Sequence, residues 1–178
     1  MTALLPLIRT MIEGLDGDGL LQQQMGGTLY TFAYEAPDDQ AFPFITVEPI
    51  SMLDWSAGNF DGDDIQMRVH ATFKRGGPAD NTGYTDVAKA CERIRSVLAG
   101  RDGFNLAESP MEGASLTLDF TTGPIRVEPS TDRRLVMFRY QGTEIIPGLL
   151  DAAEGGGGAS SNSITGVVTF RALIGPAN

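Results

Sequence analysis

Asp64-Ile-Gln-Met-Arg-Val-His-Ala-Thr-Phe-Lys74 alternates without a break. Ile65, Met67, Val69, Ala71 and Phe73 take every second place; Gln66, Arg68, His70, Thr72 and Lys74 take the places between. Successive side chains of a strand point to opposite faces, so the pattern predicts a half-buried strand with one oily and one wet face. Its length places it at the centre of an antiparallel sheet.

Working outward toward the N-terminus, Met52 to Asp64 reads as a hairpin connection, in which Trp55 and Phe60 stand beside Asp54, Asp61, Asp63 and Asp64. Before it, Phe42 to Ser51 is a strand whose Pro43 and Pro49 confine it to an edge or to a short paired centre. Thr28 to Glu35 is rich in aromatic and β-branched residues and predicts another strand. Leu4, Leu5, Ile8, Met11, Ile12 and Leu15 recur at helical spacing, and the Asp16-Gly-Asp-Gly19 stretch ends that helix. Asp16 and Asp18 resemble the start of a calcium loop, but Leu20 stands where a third oxygen ligand belongs, so a plain helix stop is preferred.

Toward the C-terminus a turn-rich break leads to a helix from Tyr84 to Ala99, with Val87, Ala90, Cys91, Ile94, Val97 and Leu98 as its apolar stripe. Ser115–Phe120 and Ile125–Glu128 alternate as one interrupted strand, and Leu135 to Ile146 reads as the next. Residues 1–150 read as one core domain of helices and strands. Residues 151–162 form a flexible Gly/Ser linker, and residues 163–178 a β-prone extension. A tethered strand containing Ile164, Val167, Val168 and Phe170 folds back on its own sheet or adds to a neighbour's edge; the sequence leaves both open.

The 178 residues carry a net charge of -10, which argues against a protein whose main task is gripping nucleic acid. No apolar run reaches the roughly 18 residues of a membrane span, the N-terminus lacks the basic region of a signal peptide, and Cys91 is the sole cysteine. The expectation is a soluble chain kept in a reducing compartment, with Cys91 as a small core residue.

No catalytic or cofactor motif emerges. His70 is the only histidine and has no second histidine to complete a zinc site, so it reads as a solvated or interface residue. Asp61, Asp63 and Asp64 have the right oxygens for a divalent ion, yet an acidic turn explains them more simply. Arg133 and Arg134 form one short basic step. The glycines at 155–158 lack the lysine and serine of a phosphate loop.

The order of elements resembles the tail-terminator or tail-completion proteins of long-tailed bacteriophages and gene transfer agents. The resemblance is carried by the Leu4–Leu15 helix, the Thr28-Leu-Tyr30 strand, and the Phe42-Pro-Phe-Ile-Thr-Val47 run. It continues through the Ile65–Phe73 strand, the Thr85–Leu98 helix, and Arg133-Arg-Leu-Val-Met-Phe-Arg-Tyr140. It implies an α+β fold, an antiparallel sheet with two helices packed on one face over residues 1–150, and a homo-oligomeric, hexameric ring. In the virion neck that ring caps the tail tube, stops its growth and joins it to the head–tail connector, after assembly in the host bacterial cytoplasm. DNA would pass through the lumen without specific binding, and neither a membrane nor a cofactor is involved. No catalytic residue carries over. Its alternatives are another neck component, such as a head-completion or stopper protein, and a small α+β ligand- or metal-binding module. The expected contact residues are Trp55, Phe60, Asp61, Asp63, Asp64, Arg68, His70, Arg133 and Arg134, with Ile164, Val167, Val168 and Phe170 of the terminal strand.

Overall fold

The structure is a computed structural model and describes residues 4–56, 58, 61–75, 82–100, 133–147 and 163–176. Phe60, the strand expected over 115–128 and the 151–162 linker lie outside the described residues.

The first helix, α1 (Leu4–Asp16), buries Leu7, Ile8, Met11 and Leu15, while Leu5 faces out at 53% exposure. Full burial of one such side chain contributes about 1.5–3 kcal/mol, so this stripe anchors the helix. The Asp16–Gly19 stretch is a helix-to-helix joint. The Gly17 N–H donates to the Glu13 carbonyl and closes α1, and Asp18 caps a short second helix, α2 (Gly19–Gln24), which the sequence reading did not anticipate. The Leu21 N–H donates to Asp18 Oδ1 at 2.7 Å, as an N-cap requires. At the other end Gly26 (φ 83°) and Gly27 (φ 93°) take left-handed conformations that return their N–H groups to the Gln23 and Gln22 carbonyls.

Among the described residues five strands form one mixed sheet. They are β1 (Thr31–Ala33), β2 (Phe44–Asp54), β3 (Asp63–Lys74), β4 (Arg133–Pro147) and β5 (Ser163–Pro176), in the order β1-β2-β3-β5-β4. Helix α3 (Thr82–Ala99) lies between β3 and β4 in sequence. All pairings are antiparallel except β1 with β2, which is parallel. The strand expected over 28–35 shortens to three residues because Tyr34, at φ 68°, leaves the extended region.

The alternating stretch forms the centre of β3. Ile65, Met67, Val69 and Ala71 are fully buried and Phe73 is nearly so. They join Ile45 and Val47 of β2, the apolar residues of α1 and α3, and Ile164, Val168, Phe170, Ala172 and Ile174 of β5 in one core. The core occupies one side of the sheet, and the helices lie on that side.

The terminal strand stands inside this sheet. β5 pairs with β3 from Asp63↔Ile174 to Lys74↔Ser163, and with β4 from Arg133↔Pro176 to Pro147↔Ile164. Its near-continuous burial comes from cover on both faces at its start, where Thr165 and Val167 are as enclosed as Ile164 and Val168. The helices approach it closely at Gly166, where an added Cβ would meet Cys91 Sγ and stand 2.7 Å from Val87 Cγ1 of α3. Phe138 stacks on Phe170 with ring centroids 5.1 Å apart, and Tyr140 meets Phe170 edge-on at 6.2 Å. The Arg95 guanidinium covers the outer face of Tyr140 at 4.2 Å.

One ion pair ties the helical layer together. Arg93 Nε and Nη2 of α3 donate to Asp18 Oδ1 and Oδ2 at 2.9 and 2.6 Å, with both side chains largely buried. The Arg93 hydrogen bond, foremost, holds the Asp18 carboxyl below its usual range, and the cap bond from Leu21 adds to this against the opposing effect of burial.

Candidate interaction surface

The sheet face opposite the helices carries the polar half of the alternating strand. Register fixes its rows. At the hairpin end Leu53, Asp64, Leu173 and Met137 lie side by side; next come Ser51, Gln66, Arg171 and Arg139. Then follow Glu48, Arg68, Thr169 and Gly142, then Thr46, His70, Val167 and Glu144, and last Phe44, Thr72, Thr165 and Ile146.

His70 Nε2–H donates to Glu48 Oε1 at 2.9 Å, and the imidazole side chain is only 15% exposed. Burial pushes the His70 pKa below 6.5; Glu48 opposes this in part, and Arg68 adds to the lowering. His70 is therefore neutral at pH 7 and held by one carboxylate. Beside it the Thr72 and Thr165 hydroxyls bond each other at 3.2 Å in a buried setting. The Tyr34–Phe42 loop hangs over this end of the face and encloses a cleft of ≈ 680 Å³, walled by Tyr34, Phe42, Glu48, His70, Glu144 and Val167. Phe42 stacks on Phe44 at 5.6 Å, which fixes the loop's return to the sheet.

Toward the hairpin end Arg171 grips Asp64 with two bonds, Nε to Oδ1 at 2.8 Å and Nη2 to Oδ2 at 2.6 Å. This pairing keeps the Asp64 carboxyl below its usual range, first through the hydrogen bond and then, after the opposing effect of burial, through the charge of Arg171. Asp64 is therefore tied up within the sheet, and not presented with Asp61 as a loop ligand. Among the described residues no three His, Cys, Asp or Glu side chains are grouped to hold a metal ion. No described helix is long and apolar enough to cross a membrane.

Beyond the paired strands the hairpin narrows to a tip. The Trp55 N–H donates to the Gly62 carbonyl at 2.8 Å and closes the ladder. Ser56 then organises two carboxylates: its N–H donates to Asp54 Oδ1 at 2.8 Å and its hydroxyl to Asp61 Oδ1 at 3.2 Å. Near them Met52, Leu53 and Trp55 are between 37% and 62% exposed, Met52 and Leu53 on opposite faces of the hairpin.

The residues that the sequence singles out are distributed over four places. Trp55, Asp61 and Asp63 lie at or beside the hairpin tip, with Asp63 paired to Asp54 across the ladder; Asp64, Arg68 and His70 lie on the open sheet face. Arg133 and Arg134 begin β4 opposite Pro176 and Gly175. Ile164, Val167, Val168 and Phe170 are buried within this chain's own sheet. Three participants were missed. Glu48 needed the β2–β3 register to be found. Arg139 needed the bulges between Leu135 and Met137 and between Tyr140 and Gly142, which shift the β4 alternation. Arg171 was hidden in a segment that reads as uniformly apolar.

Comparison with known proteins bears on this architecture. Among curated proteins none matches the chain in sequence. Solved structures do match in fold: a chain in the structure titled virion of native gene transfer agent particle aligns with a TM-score of 0.57. The alignment covers 93% of this chain and 91% of that one at 13% identity. Residues 15–142 match the family described as tail completion protein gp17. That span runs from the end of α1 into β4 and makes up most of the chain. The chain belongs to the tail completion protein gp17 family.

Proposed function

We propose that this protein is a structural component of a phage-like virion that forms a ring, six subunits around, on the end of the tail tube. The ring stops tube growth and presents the surface on which the head–tail connector docks. The observation that carries this reading is the family match over residues 15–142. The fold shared with a chain of a gene transfer agent virion supports it, as does a surface divided into an open sheet face and a projecting apolar-acidic tip. Closed rings need two different, complementary patches on each subunit, because each contact is head to tail. Trp55, Asp61 and Asp63 at the tip and Arg68 and His70 on the open face are the contact residues we assign. The net charge of -10 suits a channel along which DNA slides without adhering.

The test is reconstitution. The purified chain is mixed with tail tube protein and examined by native mass spectrometry and electron microscopy. Rings seated on tube ends, with tube length arrested on addition, are the expected outcome. A chain that stays monomeric and leaves tube growth unchanged refutes the reading. If the chain binds a connector but never a tube end, it is another neck component, such as a stopper.

A further inference from the structure

The open sheet face carries two arginines that the fold does not use. Arg68 and Arg139 are exposed, and among the described residues neither forms an ion pair, whereas Arg171 between them is held by Asp64. They stand on β3 and β4 with β5 between and one row apart, so their Cα atoms lie roughly 12 Å apart across the sheet. Of the carboxylates on this face Asp64 is engaged by Arg171 and Glu48 by His70, so Arg68 and Arg139 are the cations left to meet an acidic partner. The row next to Arg139 holds Leu53, Leu173 and Met137, with Asp64, tied to Arg171, among them. The same chain offers a matching shape at the hairpin tip, with Asp54 and Asp61 bonded to one serine and Met52 and Trp55 exposed alongside.

We propose that the hairpin tip of one copy docks on the open sheet face of the next, with Asp54 and Asp61 against Arg68 and Arg139 and the tip's apolar side chains over the neighbouring apolar row. The inference rests on the ring reading above and supplies its two patches. The contact is head to tail, so it propagates around a ring and leaves no unmatched copy once the ring closes. Carboxylates suit this face better than nucleic-acid phosphates. A phosphate backbone has nothing to gain from Leu53, Leu173 and Met137, whereas the tip brings apolar side chains along with its carboxylates.

The test uses two full-length double variants, Arg68→Glu with Arg139→Glu and Asp54→Lys with Asp61→Lys. All four sites lie on the surface, and unchanged thermal melting confirms that each variant folds. Under solution conditions where the wild-type chain forms rings, each variant alone should associate at least about tenfold more weakly, since like charges then face each other. An equimolar mixture should recover rings in which the two variants alternate, because every contact again joins opposite charges. Variants that assemble like wild type, or a mixture that stays dissociated, overturn the contact while leaving the ring reading intact. A wild-type chain that never assembles, with or without tube protein, overturns the ring reading itself. Loss of duplex DNA retention by the arginine variant, with assembly unchanged, overturns the contact and gives the face to phosphates.

Discussion

Replacing Gly166 with alanine places a methyl group where α3 leaves no room. The added Cβ would stand 2.7 Å from Val87 Cγ1 and closer still to Cys91 Sγ, whereas carbon atoms pack at about 3.5–4.0 Å. Helix and strand must part by roughly 1 Å, and both are fixed: β5 is flanked by β3 and β4, and α3 is packed over the core through Val87, Ala90, Cys91 and Ile94. Overpacking of this kind costs about 1–3 kcal/mol, and the confinement places the substitution at the upper end. With a urea dependence of about 2 kcal/mol per molar, the unfolding midpoint should fall by about 1–1.5 M. Cys91→Ala alone should cost about 1 kcal/mol for the lost buried sulfur. Combined with Gly166→Ala it should restore part of the loss, so the double variant is more stable than the sum of the singles by about 1 kcal/mol. Urea titration followed by far-ultraviolet circular dichroism measures all three, with Thr169→Ala on the other face as a control expected within about 0.5 kcal/mol of wild type. A midpoint unmoved by Gly166→Ala, or strictly additive singles, would mean that α3 does not lie over Gly166, and the placement of β5 would fail with it.

Other perturbations probe the remaining joints. Asp18→Ala removes both the α2 cap and two charge-assisted bonds to Arg93 and should cost about 2–4 kcal/mol in the same titration; a loss under about 0.5 kcal/mol would refute the joint. Because the folded carboxyls of Asp18 and Asp64 lie below 3.8, their contribution is complete above that value and is lost as pH falls through their folded pKa. His70 acts in a higher window: its folded pKa lies below 6.5, so between the two values the unfolded chain binds more protons and stability falls on acidification. Melting temperature should therefore decline as pH drops below about 6.5, and His70→Gln should flatten that decline; an identical slope in the variant would refute the buried, neutral imidazole. Truncation after Leu150 deletes β5 from between β3 and β4, so residues 1–150 should show no cooperative unfolding, and a folded monomeric fragment would contradict the strand order.

Much of the fold is written locally. The β3 alternation, the helical stripe of α1 and the Val87–Leu98 stripe of α3 each follow a period that only one kind of element satisfies, and each is found where that period puts it. The strand order is not written locally. β5 follows a glycine-rich stretch and reads as an appendage; it pairs with the preceding strand β4, but its other partner β3 is 107 residues away in sequence at the Asp64–Arg171 bridge, and nothing in a local pattern reports such a partner. One residue carried a readable hint: Gly166 interrupts an otherwise β-branched strand, which signals close approach by another element. The parallel pairing of β1 needs the Tyr34–Phe42 loop to cross back before β2 begins, and the left-handed Tyr34 that opens the loop is a residue type that gives no warning of that conformation. On the interaction surface Trp55, Arg68 and His70 were legible from alternation and composition, whereas Glu48 and Arg139 depended on register and on bulges that only pairing defines.

We expect this tail completion protein to close a ring on the end of a tail tube. Electron microscopy of tubes grown from purified tail tube protein, with and without this chain, separates the outcomes. Tubes of arrested length that carry a six-subunit ring at one end are expected. Tubes that keep growing with bare ends, in the presence of excess folded protein, would refute the proposal.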